Sequence, residues 1–255
     1  MTKPLKNKRG LILGVANDDS LAWGCSKAFK EQGAQLALTY LNDKGKPFIE
    51  PLARELDAPI FMKLDVTNEA QWNDLFARIS DEWGGLDFAL HSIAYAPKTD
   101  LQGRVTDCSV EGFLSAMDIS CHSFIRLARL CEPLMPHGGC LLTMSYYGAQ
   151  RVVENYNLMG PVKAALEAAV REMADELGEK NIRVNALSSG PVKTRAASGL
   201  TDFDRLMEEA VKKAPLHQIT TIEDVGAMAA FLVSDAARHV TGQTLFVDAG
   251  YNIVG

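Results

Sequence analysis

Apolar positions along this chain come in two rhythms that take turns. Short, dense apolar runs predict strands at Arg9–Val15, Gln35–Tyr40, Ile60–Leu64, Asp87–Ser92, Gly139–Ser145, Ile182–Leu187 and Thr244–Asp248. Longer stretches with helical spacing predict helices at Ser20–Gly33, Lys46–Leu56, Glu69–Trp83, Val110–Cys131, Tyr156–Leu177 and Glu223–Ser234. The punctuation agrees with these spans. Ser20 and Thr221 are natural N-caps, Pro47 suits a first helical turn, and Gly33 suits a stop. Two stretches break the rhythm: Tyr95 to Asp107 reads as loop, and Gly190 to about Ile219 carries weak, irregular helical signals.

Strands alternating with helices call for a parallel sheet covered on both faces. Right-handed crossovers then give a doubly wound, Rossmann-like α/β fold of about seven strands, with its ligand at the carboxyl ends of the strands. The 255 residues suffice for one large domain, and no linker, repeat or charge block divides them. The expectation is a single dinucleotide-binding and catalytic domain over 1–255, with the irregular stretch at about 195–213 as a lid.

Charge and composition narrow the class. The net charge of −6 argues against a general nucleic-acid binder. No apolar run approaches membrane-spanning length, and no signal-like stretch follows the basic start Met1 to Arg9, so a cytoplasmic protein is expected. Five cysteines (Cys25, Cys108, Cys121, Cys131 and Cys140) form no Cys-x-x-Cys pair and read as buried thiols in a reducing compartment. The histidines show no metal spacing. His91, inside an apolar strand, reads as a satisfied buried imidazole. The absence of Gly-x-Ser-x-Gly argues against an α/β-hydrolase.

Candidate chemistry gathers at two places. At the first strand–helix junction, Gly14 lets backbone approach a phosphate, Ser20 offers a hydroxyl with backbone N–H groups behind it, and Gly24 completes the turn. The spacing is not G-x-G-x-x-G, and an ordinary turn is the alternative. Asp65, ending the third strand, can accept from an adenine amino group or cap the turn at Val66-Thr67. Ser92-Ile93-Ala94 can line a cofactor. At the second place, Tyr156 and Lys163 are seven residues apart. On one helix that spacing puts both side chains on one face, about 10 Å apart along the axis, where an ammonium favours negative charge near a phenol. Tyr146 and Tyr147 cluster nearby, and Met159 can form an apolar wall or simply pack in the core. Ala196 begins a small-residue hinge, and Phe203 with Leu206 and Met207 can close over an apolar pocket.

Across essentially its whole length the chain resembles the enoyl-acyl-carrier-protein reductases of bacterial fatty-acid synthesis, a divergent branch of the short-chain dehydrogenase/reductase superfamily. The resemblance rests on Gly14-Val15-Ala16 with Ser20-Leu21-Ala22-Trp23-Gly24, and on His91-Ser92-Ile93 with Ala96-Pro97. It continues through Ser145-Tyr146-Tyr147-Gly148-Ala149, Asn155-Tyr156-Asn157 with Met159-Gly160 and Lys163, Arg183-Val184-Asn185-Ala186, Thr194-Arg195-Ala196-Ala197-Ser198-Gly199 and Thr221-Ile222-Glu223-Asp224-Val225-Gly226. The wide Tyr-to-Lys spacing discriminates, since ordinary members of the superfamily place that lysine four residues after the tyrosine.

The resemblance implies hydride delivery from NADH to the β-carbon of a trans-2-enoyl thioester, with acyl carrier protein as partner and a homotetramer as assembly. Tyr156 would stabilise the enolate, Lys163 would hold the nicotinamide ribose, and Tyr146 would line the acyl pocket beside Met159, Ala196 and Phe203. Gly14, Ser20, Leu21, Asp65, Val66, Ile93, Lys163, Val192 and Thr194 would contact the cofactor. Departures occur at Leu41, often glutamine in the family, at Ala94, often glycine, and at Asp204 in a loop that is usually more basic. The lack of basic residues at Leu41 and Asn42 favours NADH over NADPH. A reductase of carbonyl or alcohol substrates and a non-catalytic nicotinamide-binding regulator are the competing readings.

Overall fold

Seven parallel strands form one sheet in the order β3-β2-β1-β4-β5-β6-β7 in the computed structural model, which describes residues 3–194 and 203–254. The strands are β1 (Arg9–Leu13), β2 (Gln35–Tyr40), β3 (Ile60–Lys63), β4 (Phe88–His91), β5 (Gly139–Tyr146), β6 (Ile182–Ser189) and β7 (Thr244–Val247). The central strand β4 is buried throughout, which explains why it reads as an unbroken apolar run rather than an alternating one. The order reverses between β1 and β4, the switch point where open α/β sheets bind ligands.

Helices cover both faces. On one side α3 (Glu69–Trp83), α6 (Ser123–Cys131) and α7 (Met159–Gly178) bury Trp72, Phe76, Phe124, Leu127, Leu166 and Val170 against the sheet. On the other, α1 (Leu21–Glu31), α2 (Lys46–Glu55) and α9 (Ile222–Val233) bury Trp23, Phe29, Ile49, Val225 and Leu232. Ser20 caps α1 by accepting from the Trp23 N–H at 3.3 Å, and Thr221 with Asp224 forms a capping box on α9. Gly24 sits inside α1, where an added Cβ would lie 2.2 Å from the Ile222 carbonyl oxygen. It therefore serves the close crossing of α1 and α9, not the phosphate turn expected of it.

Two predicted helices come out differently. Val110–Cys131 is α5 (Val110–Met117), a π turn (Asp118–His122) and α6, because the Ser123 hydroxyl donates to the Ile119 carbonyl at 2.6 Å and the turn widens there. The helix expected from Tyr156 starts only at Met159. Residues 154–158 form turns, with Asn155 and Asn157 in the left-handed region at φ 62° and 42°. Asparagine tolerates that conformation, and two such residues flanking Tyr156 hold it off the helix. The loop-like Tyr95 to Asp107 contains the short α4 (Lys98–Leu101) and a 3₁₀ turn at Val105–Asp107. The irregular stretch after Gly190 contains α8 (Phe203–Lys213).

Candidate active site

The carboxyl ends of β1, β4, β5 and β6 bring the candidate residues to one edge of the sheet. On the nucleotide side, Gly14 leaves β1 at φ +100°, and a Cβ there would stand 2.0 Å from the Ser92 carbonyl oxygen. Only glycine fits that backbone and that approach. The Ser20 hydroxyl donates to the Asn17 carbonyl at 2.7 Å, so its proton is committed to shaping the turn. The anion-binding capacity then rests with the free N–H groups of the first turn of α1, which begins at Leu21. Asn17 Oδ1 is buried without a protein donor, an acceptor that a ligand group in this turn would satisfy. These features fit a dinucleotide.

Asp65 does what the turn reading proposed: its Oδ1 accepts from the Thr67 N–H at 3.0 Å and hydroxyl at 2.7 Å. Val66 is buried, and its carbonyl accepts from Trp72 Nε1 at 2.9 Å and from Arg126, which fixes the β3 end. At the β2 end Leu41 is 55% exposed. Asp43 pairs with Lys63 at 3.2 Å, and the Lys46 ammonium lies over the Tyr40 ring. Ile93, Val192 and Thr194 are half-buried at the β4 and β6 ends. Ala196 lies outside the described residues, and Phe203 opens α8.

Tyr146 and Tyr156 come together with ring centroids 4.8 Å apart, inclined at 59°. They belong to one apolar cluster with Ala116, Leu158, Met159 and Val162, against which Ala96, Leu101, Cys108 and Val153 pack. Tyr156 sits in the turn before α7, so the two-turns-of-one-helix geometry expected for it and Lys163 does not occur. Only Lys163 is helical. Its side chain is 4% exposed, and Nζ donates to the Met144 carbonyl on β5 at 2.6 Å.

Burial sets the electrostatics. It lowers the Lys163 pKa to about 8, against smaller opposing effects of Cys121 and Glu167. It raises both tyrosines well above the ordinary phenol value, with Tyr146 and then Glu167 adding to the rise at Tyr156. The phenols therefore remain hydrogen-bond donors at neutral pH. Burial, followed by the Lys163 charge, pushes His91 down to about 3. The Ser123 hydroxyl spends its proton on Ile119, so it accepts from His91 Nε2–H at 2.7 Å, while Nδ1 accepts from Thr143 at 3.1 Å. His91 is the satisfied core imidazole that its apolar strand suggested.

Two contributors escaped the residue-by-residue reading. Gly148 lies under the Tyr156 ring, where a Cβ would meet Tyr156 Cδ1 at 2.3 Å. Glu167, one turn along α7 from Lys163, is buried and accepts from Ser145 and Gln150. A lone glutamate in a helix-forming run carries no signal of burial, whereas Gly148 directly after two tyrosines does mark a close approach. Gly148→Ala is expected to lower turnover about tenfold to a hundredfold with little change in dinucleotide affinity, because it displaces the ring and not the nucleotide turn. Steady-state kinetics with an unchanged kcat would show that the ring is not seated by this turn.

A family model described as Enoyl-(Acyl carrier protein) reductase matches residues 14–252. Over 254 residues the chain is 44% identical to the enoyl-(acyl-carrier-protein) reductase (NADH) FabI of Rickettsia typhi, covering 100% of this chain and 97% of that one. The crystal structure of the Anaplasma phagocytophilum reductase in complex with NAD has a TM-score of 0.95 at 47% identity, over 99% of this chain and 96% of that one. The Bacillus cereus reductase with NADP+ and indole naphthyridinone has a TM-score of 0.96 at 42% identity, over 98% of each chain.

Proposed function

The chain belongs to the enoyl-acyl-carrier-protein reductase family, and we propose that it reduces trans-2-enoyl thioesters on acyl carrier protein to saturated acyl thioesters with NADH, in type II fatty-acid synthesis. The observation that carries this reading is the Tyr146–Tyr156 ring pair set in an apolar cluster, with Lys163 buried on the following helix. When bound, NADH supplies a hydride to the β-carbon of the enoyl group. Tyr156, a protonated phenol facing an apolar chain, donates to the thioester oxygen as negative charge builds there. Tyr146 packs against it and walls the acyl pocket with Met159, Ala196 and Phe203. Lys163 holds the nicotinamide ribose and adds positive charge. Gly14, Leu21, Asp65, Val66, Ile93, Val192 and Thr194 bind the remaining cofactor, with Ser20 shaping the turn they share.

NADH is preferred because Leu41 and Asn42 at the β2 end carry no positive charge for a 2′-phosphate, while Lys63 pairs with Asp43 and Lys46 lies over the Tyr40 ring. Oxidation of NADH and NADPH with crotonyl and longer 2-enoyl thioesters tests the reading. Failure to oxidise either with any 2-enoyl thioester would overturn it.

The chain forms one catalytic domain over 1–255, and its segment at about 195–213 acts as a lid that excludes water from the pocket. Hydrogen exchange across this segment should slow when cofactor and an acyl ligand are bound. Equal protection in both states would make it a fixed wall. Asp204 on α8 is matched by Lys193 at 3.4 Å, which relieves its repulsion towards an acidic carrier protein. The protein is a homotetramer. Val110, Phe113 and Leu114 on α5 and Ile125 on α6 leave apolar surface exposed, as do Phe231, Ile253 and Val254 elsewhere. Light scattering that returned a monomer would remove this assignment. Its place is the cytoplasm, in keeping with five free thiols; among the described residues no helix is long and apolar enough to cross a membrane. Protease protection of the protein inside sealed vesicles would contradict that placement.

The buried Lys163 gives the reading a pH signature. Its pKa is about 8 in the folded protein, so the ammonium is present below that pH and is lost as pH rises through it. kcat/KM for NADH, which reports the free enzyme, should therefore fall on the alkaline side near pH 8. A flat profile through pH 9.5 would show that the charge on Lys163 is not needed.

A further inference from the structure

Glu167 is 5% exposed, in the heart of α7, and takes no part in the reduction as described so far. Its two oxygens are separately occupied. Oε1 accepts from the Ser145 hydroxyl at 2.6 Å and Oε2 from Gln150 Nε2 at 3.0 Å. Both oxygens accept here, the hydrogen bonding that a carboxylate makes. A buried carboxylate held by two neutral donors is costly unless a cation offsets it. The available cation is Lys163, four residues back on the same helix face and itself buried.

The two donors also define what the carboxylate ties together. Ser145 immediately precedes Tyr146 at the end of β5. Gln150 closes the 3₁₀ turn Tyr147–Ala149, whose Gly148 underlies the Tyr156 ring. Glu167 thus bridges the strand end and turn that carry both tyrosines to the helix that carries the lysine. We propose that Glu167 is a positioning residue for the reduction, clamping the Tyr146 turn to the Lys163 helix and supplying the negative charge against which the Lys163 ammonium is set. This inference rests on the roles given above to Tyr146, Tyr156 and Lys163.

The other groups around the ammonium do not replace it. Cys121, on the π turn, favours the charged lysine only as a thiolate; burial raises its pKa, so below that pKa it is a neutral thiol and adds no charge. His91, on β4, is neutral and fully occupied. β5 and β6 meet α7 with Thr143, Ser145 and Ser188, none of which titrates. Tyr146 and Tyr156, in the adjoining pocket, stay protonated. Among these groups Glu167 is the one anion, and it acts on both members of the site: it favours the charged lysine and the protonated Tyr156 phenol.

The test follows NADH affinity and kcat against pH in four proteins. In the unmodified enzyme NADH affinity should weaken near pH 8, and in Lys163→Arg that alkaline limb should vanish, since guanidinium does not lose its proton. Glu167→Gln keeps the shape of the side chain and removes its charge. Its limb should move about one pH unit lower, with kcat down about tenfold to a hundredfold. Ser145→Ala keeps the charge and cuts one strut of the clamp, so its kcat should fall while its limb stays in place. An absent limb in the unmodified enzyme, or one that survives in Lys163→Arg, would refute the assigned role of Lys163. A limb that Lys163→Arg abolishes but Glu167→Gln leaves unmoved would refute the Glu167 proposal alone. If Glu167→Gln does not fold, Glu167→Asp carries the test: its retained charge should keep the limb near pH 8 with kcat reduced, and an unchanged kcat would refute the clamp.

Discussion

Tyr156→Phe should lower kcat by about 30- to 1000-fold, or about 2–4 kcal/mol, while NADH binds as before. The reasoning begins with where the ring sits. Left-handed Asn155 and Asn157 place Tyr156 in a turn and not on α7, with the Asn157 amide anchored to the Leu101 carbonyl at 2.8 Å. The ring is seated on Gly148 and against Tyr146, packed among apolar side chains. Phenylalanine preserves all of that packing and removes only the hydroxyl. Burial holds the phenol far above its ordinary pKa, so at neutral pH it is a donor and not a phenolate. A donor aimed at charge that exists only in the transition state acts on kcat and leaves ground-state binding alone. Single-turnover kinetics on a 2-enoyl thioester, with NADH affinity measured in parallel, separates the two effects. Unchanged turnover would take Tyr156 out of the mechanism.

Lys163→Ala should weaken NADH binding about tenfold to a hundredfold, the loss of about 1.5–3 kcal/mol of charge-assisted hydrogen bonding, and should lower turnover as well. The side chain is buried, and Nζ already has one partner in the Met144 carbonyl. An ammonium has three donors, so two remain for ribose hydroxyls. Truncation also strips the Met144 carbonyl of its donor and leaves Glu167 without a cation, so some loss of stability accompanies the loss of affinity. A thermal melt of the free protein isolates that part. NADH affinity equal to that of the unmodified protein would show that Lys163 does not hold the cofactor.

The sheet was legible because burial on both faces writes strands as dense apolar runs. β2 and α3 have the predicted bounds, and the remaining strands differ by one or two residues at their ends. The α7 start was misread because Ala164 to Ala169 is strongly helix-forming and Tyr156 can be counted back from it. The signal against that lay just before it, where Asn155 and Asn157 stand on either side of the tyrosine. The π turn was not legible, since it arises from a single serine bonding back to the Ile119 carbonyl. Ser20 was placed correctly at the start of α1, but its hydroxyl is turned inward to Asn17, a choice that depends on the turn's three-dimensional closure. Glu167 was hidden for a related reason: α7 carries several glutamates, and only the packing against β5 shows which one is buried.

Hydride destination decides the central claim. The enzyme would be incubated with NADH deuterated at the transferable position of C4 and an unlabelled trans-2-enoyl thioester, and the product examined by mass spectrometry and NMR. The account predicts a saturated acyl thioester with one deuterium at the β-carbon, and loss of that product in Tyr156→Phe. Deuterium on a carbon bearing a new hydroxyl, with the carbon–carbon double bond intact, would contradict it and make the protein a carbonyl reductase.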